Sequence, residues 1–169
     1  MSARTQVELL LDLLDSAFQR PIPDNWSDGW HSLLSNLRSV RDEDLDWRPA
    51  DGVRSIRQLA AHAGVCMIVY SGHGFGAGLM EWPSEYPPAS KGSKDEIVAW
   101  LVECHGTLHD AQAACTDDQL EDLRETWDKG DHRPRRWFAT TMIEHILYHA
   151  GEINHIRALL QGNDAWPDY

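Results

Sequence analysis

Apolar residues recur at helical spacing through almost every segment of this sequence, and no stretch of four or more residues alternates as a half-buried strand would. That pattern restricts the chain to an all-α fold. The first segment, from about Thr5 to Arg20, sets Val7, Leu10, Leu11, Leu14 and Phe18 on one stripe before Pro21 and Pro23 break it. A second piece, from about Ser27 to Val40, repeats the pattern with Trp30, Leu33, Leu34 and Leu37, and Ser27 is its expected N-cap. The two pieces make a broken N-terminal helix. RDEDLDWRPADGV then reads as an acidic loop punctuated by Pro49 and Gly52.

Ser55 is placed to cap the next helix, which runs from about Ile56 into the glycine-rich SGHGFGAG. Ser93 is placed to cap another, carrying Ile97, Leu101, Cys104 and Leu108 to about Cys115. A second acidic loop ends near Pro134. The last helix spans about Arg136 to Leu160, ends before Gly162 and has Pro167 beyond it. Four main helices with long connections suggest a bundle whose core can house a site built from facing helices. A chain of 169 residues suits a single domain over 1–169. The Pro-rich loop Glu81–Ser93, with Trp82 and Tyr86, is long enough to cover a site, and equally reads as a solvated connection. Trp30, Trp47, Trp82, Trp100, Trp127, Trp137 and Trp166 are core or dimer candidates.

Charge and cysteine usage narrow the function classes. Fifteen basic against twenty-seven acidic residues give a formal charge of −12, which argues against nucleic acid as a partner. The richest basic stretch, Arg133, Arg135 and Arg136, could meet a small anion or simply be a solvated approach to the last helix. Cys66, Cys104 and Cys115 are odd in number, lack CxxC spacing and fall in apolar helical patterns. A disulfide framework is not expected, and a reducing, cytoplasmic compartment is. The start of the chain, MSARTQVELLLDLLDS, has acids inside its apolar run where a secretory leader would not, and no stretch approaches a membrane span.

The residues with chemistry to offer lie late in the chain, in RRWFATTMIEHILYHAGEINHIRALLQG. His145 and His149, four apart, share one helix face, and Glu152 continues the same stripe. Ile146, Ile153 and Ile156 flank it. Two buried imidazoles without partners would be costly, and a shared metal ion would satisfy both. The spacing alone also fits two ordinary surface or core histidines. His62, in SIRQLAAHAGVCMIVY, lies on or beside an apolar face, where it is either a hydrogen-bonded core residue or a third corner. As a third corner it would complete a facial set of three nitrogens with coordination positions left open. His105 and His109 are also four apart, but Glu103, Gly106, Thr107 and Asp110 make their face wetter, and they are expected at the surface. His155 turns away from the ligand stripe, and His31, His73 and His132 are expected to be structural or solvated.

LDWRPADGVRSIRQLAAHAG followed much later by MIEHILYHAGEINHIRALL resembles the DinB/YfiT-like metalloenzymes of the DinB superfamily. The shared features are the W-x-P loop, the Ser-Ile helix start leading to a histidine, and the late HxxxHxG(Q/E)I helix. They extend over most of the chain, from roughly Leu10 to Gly162. The resemblance implies an up-down-down-up four-helix bundle, commonly dimeric, that binds nickel, zinc, iron or manganese through three histidines. Carried over by motif, those ligands fall on His62, His145 and His149. Glu152 falls where the family has Gln or Glu, as a ligand or, preferably, as a support for a ligand imidazole. Relatives include bacillithiol transferases and a mycothiol-dependent maleylpyruvate isomerase. The resemblance therefore implies a small-molecule substrate, a divalent metal and a low-molecular-weight thiol. Hydrolysis with Glu152 as general base, and an ion that only staples helices, are the other readings.

Overall fold

The computed structural model describes residues 5–19, 31–76, 78 and 80–165. Five α-helices account for most of them: α1 (Gln6–Phe18), α2 (Leu33–Arg38), α3 (Ile56–Tyr70), α4 (Lys94–Ala113) and α5 (Arg135–Gln161). The end of the first segment at Arg20 to Pro23, the expected cap Ser27, Trp30, Trp166 and Pro167 lie outside the described residues.

Three helices begin at full capping boxes: Thr5 with Glu8, Ser55 with Gln58, and Ser93 with Glu96. In each, the cap oxygen accepts the amide three residues on while the carboxylate or amide side chain reaches back, satisfying two otherwise orphaned donors. Ser32 caps α2. At the other end of the chain Gly162, at φ 72°, takes the left-handed conformation that stops α5. The sequence pattern runs α3 into the glycine-rich SGHGFGAG, and there its axis continues as a π-helical turn over Ser71–Phe75. Small residues allow this: a Cβ on Gly74 would sit 2.7 Å from the Cβ of Phe138, so only glycine lets this turn approach α5 so closely.

α1 packs on α4 and α5, and α3 packs on the same two helices. Side-chain contacts give the directions. The first amides of α1 donate to Asp117, just past the end of α4, while Asp15 near the end of α1 meets His105, so α1 and α4 are antiparallel. Gly64 lies under the ring of Trp100 and Ser71 Oγ reaches the Thr107 carbonyl, so α3 and α4 are parallel. Tyr70 packs on Phe138 while His62 meets His145 and His149, so α3 and α5 are antiparallel. In chain order α1, α3, α4 and α5 therefore run up, down, down and up. Leu14, Phe18, Leu37, Ile56, Met67, Leu101, Phe138 and Ile146 fill the space between them.

One element departs from the expected pattern. The second acidic loop contains a small antiparallel hairpin, β1 (Leu123–Glu125) and β2 (His132–Pro134), with Arg124 opposite Arg133. Three-residue strands are too short for a period-two pattern to register, and this pair is held instead by its turn, where Gly130 has φ 87°.

Candidate metal centre

The antiparallel packing of α3 on α5 brings together three imidazoles remote in sequence. His145 and His149 sit one turn apart on α5, and their Nε2 atoms are 3.0 Å apart. His62 projects from α3, with its ring centroid 5.1 Å from each of the other two. One nitrogen from each of the three lies within 4.8 Å of the others, and among the described residues no other group of three or more His, Cys, Asp or Glu side chains comes together this way. His149 is only 2% exposed, and His62 and His145 are half-buried.

The surroundings keep these rings neutral and aimed. Burial, with added repulsion from Arg54 and His145, pushes His62 down to about 4. His145 is brought to about 4 by burial, then by His149 and Arg54. His149 is brought to about 4 by burial, then by His62 and Arg54. Glu152 Oε2 lies 2.6 Å from His149 Nδ1, so the Nδ1–H donates to the carboxylate and leaves the Nε2 lone pair facing His145. Three neutral nitrogen donors, one of them oriented by a carboxylate on its far side, suit a borderline divalent cation.

The remaining histidines separate from this set. His105 and His109 were expected at the surface, but both are half-buried between α1 and α4. His105 stacks on Phe18 at 4.1 Å and 8°, with Nε2 3.1 Å from Asp15 Oδ1, so this pair meets a carboxylate and an aromatic face. His73 is buried and structural: Nδ1 lies 3.1 Å from the Glu125 carbonyl and Nε2 2.8 Å from that of Met80. His31, His132 and His155 are exposed. Trp82, in the loop that reads equally as a cover or as a solvated connection, packs edge-on against Trp127 at 5.3 Å, in an aromatic cluster with Tyr70 and Trp137. Cys66, Cys104 and Cys115 are free thiols.

Two neighbours of the centre escaped notice in the sequence. Cys66 Sγ is 3.5 Å from His62 Nε2, and burial pushes its thiol up to about 12, so it backs the ring as a neutral group. Arg54 acts electrostatically on all three imidazoles and on Cys66. Cys66 follows His62 by four residues on α3, a signal that was available once His62 was fixed as the reference, whereas Arg54 precedes the cap of the helix and carries no such register.

The family model for the DinB superfamily matches residues 25–153. The chain belongs to the DinB superfamily. Solved structures similar to it include a DinB-like protein from Bacillus cereus, 21% identical, over 83% of this chain and 89% of that one at TM-score 0.60. A DinB-like protein from Bacillus subtilis is 12% identical over 95% and 96% of the two chains, at TM-score 0.64. A conserved protein from Enterococcus faecalis is 15% identical over 95% and 100%, at TM-score 0.67. At these identities the three establish a shared helical fold. No curated protein sequence matches the chain. Among the described residues, no helix of this DinB-superfamily chain is long and apolar enough to cross a membrane.

Proposed function

We propose that this DinB-superfamily chain is a divalent-metal-dependent enzyme acting on small molecules, and that it transfers a low-molecular-weight thiol of the bacillithiol or mycothiol type to an electrophile. The observation that carries the reading is the donor set. His62, His145 and His149 offer three nitrogens within 4.8 Å, whereas a purely structural site would ordinarily close with four protein ligands. Nickel, zinc, iron and manganese all accept such a set. A bound divalent ion supplies positive charge that makes a thiol ionise more readily, and the thiolate is the nucleophile.

The chain's own residues prepare that chemistry. Burial and Arg54 hold the three imidazoles neutral, the form in which they donate lone pairs. Glu152 fixes the tautomer of His149, which supports its role in positioning a ligand imidazole. The same hydrogen bond speaks against Glu152 as a general base for hydrolysis, because the carboxylate is already engaged. In the transfer itself, the sulfur forms a bond to the electrophilic carbon as the leaving group departs with its bonding pair.

Cobalt-substituted protein tests this directly. Addition of a low-molecular-weight thiol is expected to produce a sulfur-to-cobalt charge-transfer band, and the thiol should be consumed with an electrophile faster than without protein. Neither a band nor protein-dependent turnover across a panel of thiols would sink the thiol reading.

A further inference from the structure

Three sequence features that the metal centre leaves unused meet beside α3. The W-x-P loop contributes Arg48, the capped start of α3 contributes Ser55, Gln58 and Ala61, and the Pro-rich loop contributes Tyr86 and Lys91. Together with Asp46, Arg57 and Ser90 they line a cavity of about 290 Å³. Ala61 immediately precedes His62, and Gln58 precedes it by one helical turn, so the cavity lies next to the metal centre around the helix.

Its charge is unusual for this chain. In a protein with a formal charge of −12, a basic side chain normally finds a carboxylate nearby. Arg57, also on the wall, does: its guanidinium grips both oxygens of Asp46 at 2.8 and 3.1 Å. Lys91 lies 3.6 Å from Glu85, in a pair that is well exposed on both sides. Arg48 has no ion pair or hydrogen bond among the described residues, and neither does Arg54, which precedes the cap of α3. Balancing Arg57 against Asp46 and Lys91 against Glu85 leaves the positive charge of Arg48 uncompensated in the cavity. One such charge matches a singly charged carboxylate better than a doubly charged phosphate, and a guanidinium can bind a carboxylate through two parallel hydrogen bonds.

Within α3, Gln58 precedes His62 by one turn, about 6 Å along the axis. We propose that this cavity is a carboxylate-recognition subsite, in which Arg48, with Lys91 beside it on the wall, holds the acid group of the small molecule whose reactive end reaches the three histidines. Tyr86 and the apolar wall at Ala61 pack against its middle. The substrate class is thus a small carboxylate-bearing molecule. This deepens the metal-dependent reading and rests on it for the position of the reactive end.

S-methylglutathione tests the subsite without an ionisable sulfur. It is titrated calorimetrically into cobalt-loaded protein beside its diethyl ester, with the wild type and the R48A/K91A variant compared. The free acid is expected to bind the wild type about tenfold or more tightly than the ester, the factor one charge-assisted hydrogen bond supplies. In R48A/K91A that preference should fall to about twofold or less, with the cobalt spectrum unchanged. Equal binding of acid and ester, no binding of either, or a preference that survives in the variant would overturn the subsite. Unmodified glutathione in the same cobalt protein reports separately on the thiol reading: an absent charge-transfer band alongside an Arg48-dependent preference for the acid would retire the thiol and leave the subsite standing.

Discussion

Two pairs of histidines in this chain have identical spacing and opposite surroundings. His145 and His149 on α5 face a third imidazole from α3, and their Nε2 atoms converge at 3.0 Å. His105 and His109 on α4 face Asp15 from α1, and their ring centroids stand 5.9 Å apart. Four-residue spacing puts two rings on one face of a helix and does no more. The helix packed against that face decides what the pair becomes. An opposing neutral base adds a lone pair to a donor set, whereas an opposing carboxylate sets a negative charge against the ring, 3.1 Å from His105 Nε2. Glu152 sharpens the contrast, because it takes the far nitrogen of His149 and leaves the near one free. The carboxylate of Asp15 lies instead on the near side of His105.

The largest expected effect is on metal content. His149→Ala should reduce bound metal, measured by elemental analysis of untagged protein, by more than the roughly 10–100-fold that loss of a supporting residue costs. His145→Ala should behave alike, and His109→Ala should leave the content unchanged. Equal losses at 149 and 109 would erase the distinction between the pairs. Next in size is Glu152→Gln. The amide can still meet His149 but no longer favours the same tautomer with a charge, so metal affinity should fall by about tenfold, towards the lower end of the outer-residue range. An unchanged affinity would mean that Glu152 does not orient the ring.

Acid provides the third comparison. In metal-free protein His62, His145 and His149 are held near 4, below the ordinary 6.5, so the unfolded chain binds more protons than the folded one between those values. Their contribution to stability is therefore complete above about pH 6.5 and falls progressively as pH drops towards 4. Denaturant midpoints of the wild type should decline across that window, and those of His62→Phe less steeply. Burial also lowers His105, but Asp15 opposes that shift, so His105→Phe should flatten the decline less. A steeper dependence on His105 than on His62 would reverse the assignment.

Much of this was legible in the sequence, and for physical reasons. Thr5, Ser55 and Ser93 with their partners three residues on announce helix starts through local hydrogen bonds, and Gly162 announces a stop by its freedom to take positive φ. The pairing of His145 with His149 is likewise local. What stayed hidden depends on contacts between distant segments. That His62 meets the pair follows from α3 and α5 running antiparallel, which periodicity does not encode and the family resemblance supplied. The burial of His105 depends on Phe18 arriving from α1, and Glu103 and Thr107 beside it misled because they sit on the outer side of α4. The cavity at Arg48 draws on three segments separated by loops, so no single motif contains it.

The smallest effect expected is at Asp15, and it tests whether the second pair is a structural contact. Asp15 lies on the last turns of α1, about half exposed, and reaches both His105 and His109 across the seam to α4. Because burial lowers His105, the imidazole is largely neutral near pH 7, and the contact is then a carboxylate beside a neutral ring rather than a full ion pair. Partial exposure screens what remains, so Asp15→Asn should cost at most about 1 kcal/mol in denaturant unfolding. His105→Ala removes the ring stacked on Phe18 as well and should cost more than Asp15→Asn. Neither should alter metal content, since their rings and carboxylate do not face the three-histidine set. A loss of metal in Asp15→Asn with unchanged stability would mean that the pair on α4 holds an ion after all, and that the opposing carboxylate serves as its third ligand.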